Sequence, residues 1–241
     1  MPSGFYSALS GGIAKMQAME TISHNLSNVN TSGFKRGRTL FEALMSSATQ
    51  TQEAKGINLT KIRGNHVDFA QGYLQTTGGE LDFAIEGEGF FKVQGDDGIF
   101  YTRSGQFQRG NDGTLLTNSN YKVLDSSNQP IILPATSFEV DEGGNIFTEG
   151  GEAGRLALFT AENANAFYKQ NGTMFALPAG NADREVEKPV VVRGSLESSN
   201  INIMQEMALM IDAQRTFEAY QKAMKTYSTI GSKLDELGSV G

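Results

Sequence analysis

Two apolar stripes at opposite ends of the 241-residue chain constrain its fold more than any other feature. In residues 5–30, Leu9, Ile13, Met16, Met19, Ile22, Leu26 and Val29 recur in steps of three and four, which predicts one face of an α-helix. Asn28, Asn30 and Gly33 then supply stop signals. Near the other end, Ile203, Met210, Phe217 and Met224 stand seven apart, as do Ala213, Tyr220, Tyr227 and Leu234. The two series are offset by three and make a seam of 3.5-residue period, with Met207 beside it. Asn202 is placed as an N-cap with Gln205 three residues on, and the helix runs to about Leu237. One stripe alone reads as an ordinary amphipathic helix packed on its own domain. Two stripes flanking a different kind of sequence read as helices that meet each other in a coiled-coil-like pair, with apolar side chains exposed until neighbours cover them.

Between the stripes the pattern changes twice. Residues 34–60 are polar and mixed and read as a connector, with a short helix near Thr39–Ser47. From residue 61 to 195 short alternating runs are separated by Gly, Asn and Asp. Leu81, Phe83 and Ile85 alternate with Asp82 and Ala84, Phe91 and Val93 share a face, and Phe138 pairs with Val140. Tyr121–Leu124, Ile131–Leu133 and Leu156–Phe159 are further strand candidates, with turn signals at Asp97-Gly98, Asp112-Gly113 and Gly143-Gly144-Asn145. The expected fold is therefore mixed α and β. An N-terminal helix (1–36) and a C-terminal helix (196–241) pair as one domain, 37–70 connects, and 71–195 forms an all-β domain of short strands.

Composition removes several function classes. Twenty basic residues against 27 acidic ones leave a net charge of −7, the wrong sign for a non-specific nucleic-acid binder. There is no cysteine, hence no disulfide, thiolate metal site or cysteine nucleophile. No run approaches the about 20 apolar residues a membrane-spanning helix needs, and the first residues carry no cleavable signal pattern. Gly87-Glu88-Gly89 begins like a dinucleotide fingerprint but lacks the third glycine, carries a glutamate where phosphate would approach and precedes a strand. Asp96-Asp97-Gly98 and Asp141-Glu142-Gly143 lack the spacing of a calcium loop and read as hairpin turns. The two histidines, His24 and His66, have no partner at metal or triad spacing. Acidic pairs such as Glu80 with Asp82 lie on strand faces that are usually solvated. No catalytic residue, cofactor site or metal site is expected.

Four motifs in order resemble the flagellar rod and hook protein family. Tyr6-Ser7-Ala8-Leu9-Ser10-Gly11 with Asn25-Leu26-Ser27-Asn28-Val29-Asn30-Thr31-Ser32-Gly33-Phe34-Lys35 is similar to its N-terminal signature. The central run contains Asp82, Gly87, Gly89, Phe90 and Phe91 and is followed by Thr102, Arg103, Gly105 and Phe107. The closing motif holds Ser195-Leu196-Glu197-Ser198-Ser199-Asn200-Ile201-Asn202 with Glu206 and Met207, and continues through Arg215 and Glu218. The chain length and Gln129-Pro130-Ile131-Ile132-Leu133-Pro134 resemble the proximal rod type more than the distal one, and the chain has no room for the outer domains of a hook protein.

The resemblance implies an axial structural subunit rather than an enzyme. Its terminal helices would line a channel, with the β domain outside. Its partners would be other rod proteins, copies of itself and the flagellar type III export apparatus, with no membrane insertion and no nucleic acid. Its place would be the basal-body rod in the periplasm, reached without a cleaved signal. The apolar positions of both stripes would then be subunit contacts. The rival reading is a self-contained binding module with its helices packed on the β domain and a ligand in the barrel.

Overall fold

The structure, a computed structural model, describes residues 2–44, 59–133, 137–148, 151–162 and 166–238. In chain order the elements are α1 (Pro2–Ser27), β1 (Gly37–Leu44), β2 (Leu59–Val67), β3 (Leu74–Thr76), β4 (Phe83–Ile85), β5 (Phe90–Gly95), β6 (Gly98–Thr102), β7 (Phe107–Arg109), β8 (Leu115–Thr117) and β9 (Lys122–Val123). They continue with β10 (Phe138–Val140), β11 (Asn145–Thr148), β12 (Gly151–Arg155), β13 (Leu158–Ala161), β14 (Tyr168–Asn171), β15 (Met174–Ala176), β16 (Asp183–Glu185), β17 (Val191–Arg193), β18 (Ser195–Glu197) and α2 (Ile203–Gly238). The chain forms two compact units, one of residues 1–27, 37–66 and 202–241 and the other of residues 28–36 and 67–201. No helix among the described residues is long and apolar enough to cross a membrane.

The first unit contains both helices and the β1–β2 pair. Asn202 caps α2 as the sequence predicts: its Oδ1 accepts from the Gln205 N–H at 3.1 Å. The helices lie side by side and antiparallel. Lys15 near the middle of α1 meets Asp212 at 3.7 Å, and Asn25 near its end meets Glu206 at 3.1 Å. The face of α1 that meets α2 is its small-residue face. A Cβ added at Gly4 would overlap the Tyr227 ring, and one added at Gly11 would overlap Tyr220.

A helix was expected around Thr39–Ser47. Instead Gly37–Leu44 is strand β1, paired with β2, while residues 45–47 lie outside the described residues. The cause is local to the start of the strand. Gly37 gives its N–H to Asn25 Oδ1 at 3.0 Å and takes Asn25 Nδ2 on its carbonyl at 2.9 Å, and Thr39 Oγ1 meets Thr21 Oγ1 at 2.8 Å. A side chain that binds both polar groups of one peptide residue holds that residue extended along α1.

The second unit is all antiparallel β. A nine-stranded sheet runs β14-β15-β6-β5-β9-β8-β7, with β13 joined to β5 and to β16. β10-β11-β12, β4-β17 and β3-β18 form smaller sheets. The alternation in β5 separates two apolar clusters. Phe91 and Val93 face one with Ile85, Leu115, Leu156 and Leu158, whereas Phe90 faces the other with Tyr101, Phe159, Phe167 and Phe175. Alternation fails at β4, where Phe83, Ala84 and Ile85 are all buried. The strand is covered on both faces and accepts a small residue at the position expected to be polar. Ile131–Leu133 forms no strand of its own; it is bridged by backbone bonds from Leu115 to Ile131 and from Leu133 to Gly113.

One five-residue turn recurs at residues 110–114, 117–121, 125–129 and 141–145. In each, the first residue's carbonyl accepts from the fourth residue's N–H and its N–H reaches the fifth residue's carbonyl. The fourth position has positive φ: Gly113 (85°), Asn120 (62°), Asn128 (59°) and Gly144 (81°). This is a type I turn closed by a left-handed residue, and Gly and Asn fill that position because they accept it at least cost.

Candidate functional site

Three motif residues, Gly33, Lys35 and Arg103, converge on one buried glutamate. Glu197 on β18 is fully buried. Its Oε1 accepts from Lys35 Nζ at 2.6 Å and from the Gly72 N–H at 2.9 Å, and its Oε2 accepts from Arg103 Nη1 at 3.2 Å. Its backbone carbonyl takes the Gly33 N–H at 2.8 Å and Ser32 Oγ at 3.2 Å. Lys35 also donates to the Ala70 carbonyl at 2.8 Å. Arg103 donates Nη2 to the Gly87 carbonyl at 2.6 Å and lies 5.3 Å from the Phe90 ring centroid. Next to this cluster, the Asn200 carboxamide accepts from the Arg36 N–H at 2.8 Å and donates to the Asp68 carbonyl at 2.8 Å and the Ala70 carbonyl at 3.0 Å. Two cations and one anion thus lie out of water. Burial lowers the pKa of both Lys35 and Arg103, and Glu197 opposes that shift for each.

The remaining motif residues have packing and turn roles around the same unit. Gly33 has φ of 70° and packs where a Cβ would overlap the backbone of Arg103 and Ser104. Phe34 is fully buried, with the Lys169 ammonium 3.4 Å from its ring centroid. Asn28 accepts from the Thr31 N–H at 3.1 Å through its carbonyl, closing the turn after α1. Asp82 accepts from Thr77 Oγ1 at 2.6 Å. Thr102 Oγ1 donates to the Thr173 carbonyl at 3.1 Å. A Cβ at Gly105 would strike the Phe83 carbonyl. Phe91 and Phe107 meet edge to face at 5.1 Å in the core. Gly87 and Gly89, with φ of 95° and 116°, turn the chain between β4 and β5, so the two glycines of the fingerprint-like run act in a turn held by Arg103. Ser199 is buried beside Asn200. Glu197 falls inside the Ser195–Asn202 run of the closing motif, but nothing in that run distinguishes a buried glutamate from a solvated one.

The turns that look like calcium-loop fragments are closed by their own backbone. Asp141 takes the Asn145 N–H and the Asn145 carboxamide, each at 2.8 Å, and these bonds hold its carboxyl pKa below the usual value. Asp96 and Asp97 sit in the two-residue turn of the β5–β6 hairpin, where Gly95 pairs with Gly98. A cleft of about 610 Å³ is lined by Thr31, Ser32, Gln75, Ser104, Gln106 and Asn118 among others. Among the described residues lining it, the one ionisable side chain is Glu197, both of whose oxygens are engaged in the buried cluster.

The stripe residues of the first unit separate into two sets. On α1, Leu9 (36% exposed), Ile13 (45%) and Met16 (43%) point away from α2, while Met19, Ile22 and Leu26 are half-buried. Val29 belongs to the second unit and is half-buried there. On α2, Met210, Phe217, Tyr220 and Met224 are half-buried, whereas Ile203, Met207 and Tyr227 are exposed. Arg215 and Glu218 are exposed, and the side chain of Leu234 lies outside the described residues. Asn25 and Glu206 are both buried and hydrogen-bonded to each other across the pair.

Comparison with known proteins follows the same three segments. Residues 5–35 match the family described as flagella basal body rod protein, residues 84–148 the flagellar hook protein FlgE/F/G D1 domain, and residues 192–237 the flagellar basal body rod FlgEFG protein C-terminal family. The chain is 29% identical to the flagellar basal-body rod protein FlgF of Caulobacter vibrioides over the whole of both chains. It is 33% identical to FlgG of Borreliella burgdorferi, covering 94% of this chain and 95% of that one, and 28% identical to FlgG of Bacillus subtilis, covering 96% and 97%. The chain belongs to the flagellar basal-body rod protein family.

Proposed function

We propose that this chain is a structural subunit of the flagellar basal-body rod, acting by assembly rather than by catalysis. The observation that carries the reading is the row Leu9, Ile13 and Met16. It lies partly open, 36–45% exposed, on a helix whose opposite face is already taken by α2. An apolar row left open on a paired helix is a surface for other subunits. The two helices act as one coiled-coil-like assembly domain, and the β unit is a folded body held by the Glu197 cluster. Contacts that do not close on themselves propagate a helical assembly, which suits a rod that carries torque. Partners are other rod proteins and further copies of this chain. Export through the flagellar type III apparatus and a final place in the periplasmic part of the rod belong to the same reading.

Within the family the proximal, FlgF-like role is favoured. Relatives called FlgF align over 99–100% of both chains, whereas the FlgG relatives align over 91–96% of this one. The deciding experiment is complementation of bacterial strains lacking either flgF or flgG, with basal bodies purified and imaged. Rods containing this chain in the flgF strain alone establish the proximal role, and rods in the flgG strain alone establish the distal one. Incorporation in neither strain overturns the rod reading.

A further inference from the structure

The helices of the first unit carry contacts at matched intervals of seven. Gly4 receives Tyr227, Gly11 receives Tyr220, and Asn25 binds Glu206, so each step of seven up α1 is a step of seven down α2. The same register sets Ala18 opposite Ala213, which is buried. From these contacts we infer that the Gly/Tyr layers and the Asn25–Glu206 pair form a register lock, fixing a single antiparallel alignment of the terminal helices. This inference deepens the assembly reading above, because it states how the assembly domain selects its own geometry.

The physical case rests on what a slip would do. An apolar seam repeating every seven residues is equally satisfied by any slip of seven, so the seam alone leaves register open. A slip in one direction drives Tyr220 onto Ala18, where a Cβ occupies the space that Gly11 leaves empty. A slip in the other direction leaves Gly11 facing Ala213 across a void and sets the Glu206 carboxylate against Ala18 without its amide. Overpacking, a cavity and an unpaired buried charge each disfavour the slipped state. Glycine is a poor helix residue, and alanine would serve Gly4 and Gly11 better if helix formation were their only task. Their contacts with the two tyrosine rings account for the choice.

The chain contains no cysteine, so paired cysteines report register cleanly. Lys15→Cys with Asp212→Cys marks the native register, because those side chains meet at 3.7 Å. Ile22→Cys with Asp212→Cys marks a slip of seven. In the full chain, a short dimaleimide should join the first pair and not the second. Adding Gly11→Leu should lower native-pair cross-linking roughly tenfold or more, as forcing a large side chain into a packed contact does. Tyr220→Ala in the same molecule should restore much of it. Equal cross-linking of native and slipped pairs, an unchanged yield with Gly11→Leu, or no cross-linking at either pair would each overturn the lock. The reaction is intramolecular and needs no rod partner, so its failure is distinct from failure of the rod reading, which complementation tests.

Discussion

At the scale of single residues, the second unit holds a buried ionic cluster in addition to its two apolar ones. Lys35, Arg103 and Glu197 are all buried, and Glu197 lies 162 residues from Lys35 and 94 from Arg103 in the chain. Lys35→Met leaves Glu197 paired with Arg103 but removes its shortest charge-assisted hydrogen bond, so it is expected to destabilise the β unit by about 1.5–3 kcal/mol in urea unfolding. A loss below about 1 kcal/mol would mean that the cluster is not what holds residues 32–36 in place. Lys169 gives a pH signature. Burial pulls its pKa down from 10.5 to about 8, although the Phe34 ring face beneath it favours the charged form. The unfolded chain therefore binds the extra proton between about pH 8 and 10.5, and stability contributed here rises with pH across that window. Below pH 8 the cost of the buried charge is fully present. Against Lys169→Met, whose curve lacks this slope, the parent protein should gain relative stability from pH 8 to 10, read from urea midpoints. A parallel pair of curves would place the titration elsewhere. None of this cluster was legible as a cluster. The motifs include Lys35, Arg103 and Glu197 by resemblance, but a glutamate in a polar run gives no sign of burial when its partners are this distant in sequence.

At the scale of elements, legibility followed the length of the periodic signal. The two helices, 26 and 36 residues long, span many turns and were placed within a few residues of their observed ends. Most of the strands are only two to five residues long and carry one or two alternations each, too few to separate a half-buried strand from one covered on both faces, as β4 shows. The misread helix at Thr39–Ser47 failed for a different reason. β1 is held by Asn25 and Thr21 on another element, and no local pattern records that. The same logic sets a boundary that can be tested. Residues 28–36 belong with the β unit because Gly33, Lys35 and Arg36 bond to Glu197 and Asn200. A fragment of residues 28–201 should fold cooperatively by circular dichroism and denaturant unfolding, whereas one of residues 67–201 should be destabilised by several kcal/mol, since Glu197 keeps a single cation. Equal stability of the two fragments would move residues 28–36 out of the β unit. Loss of folding in both would favour a binding module whose helices complete its core.

At the scale of the whole molecule, the stripe on α1 is where fold and function meet. The spacing marks Leu9, Ile13 and Met16 as part of one row, but spacing alone cannot say whether a row of large apolar residues faces the partner helix or the outside. The glycines decide this. A helix that offers Gly4 and Gly11 to two tyrosines brings its small face inward and turns Leu9, Ile13 and Met16 outward. Partly exposed apolar residues add less to the stability of an isolated chain than buried ones, because much of their surface stays wet in the folded state. Burying the 36–45% of each side chain that remains exposed is worth roughly 0.5–1.5 kcal/mol. Leu9→Asn, Ile13→Asn and Met16→Gln together should therefore leave the unfolding of the dilute monomer within about 0.5 kcal/mol per site, yet abolish incorporation into rods in the complementing strain. The two measurements pull apart the competing roles of the row. Monomer stability that falls by several kcal/mol would show that the row serves the chain's own fold. Normal stability with normal rods would show that these three side chains are not subunit contacts. Normal stability with no rods is the outcome expected of a helix whose apolar face is kept for other subunits.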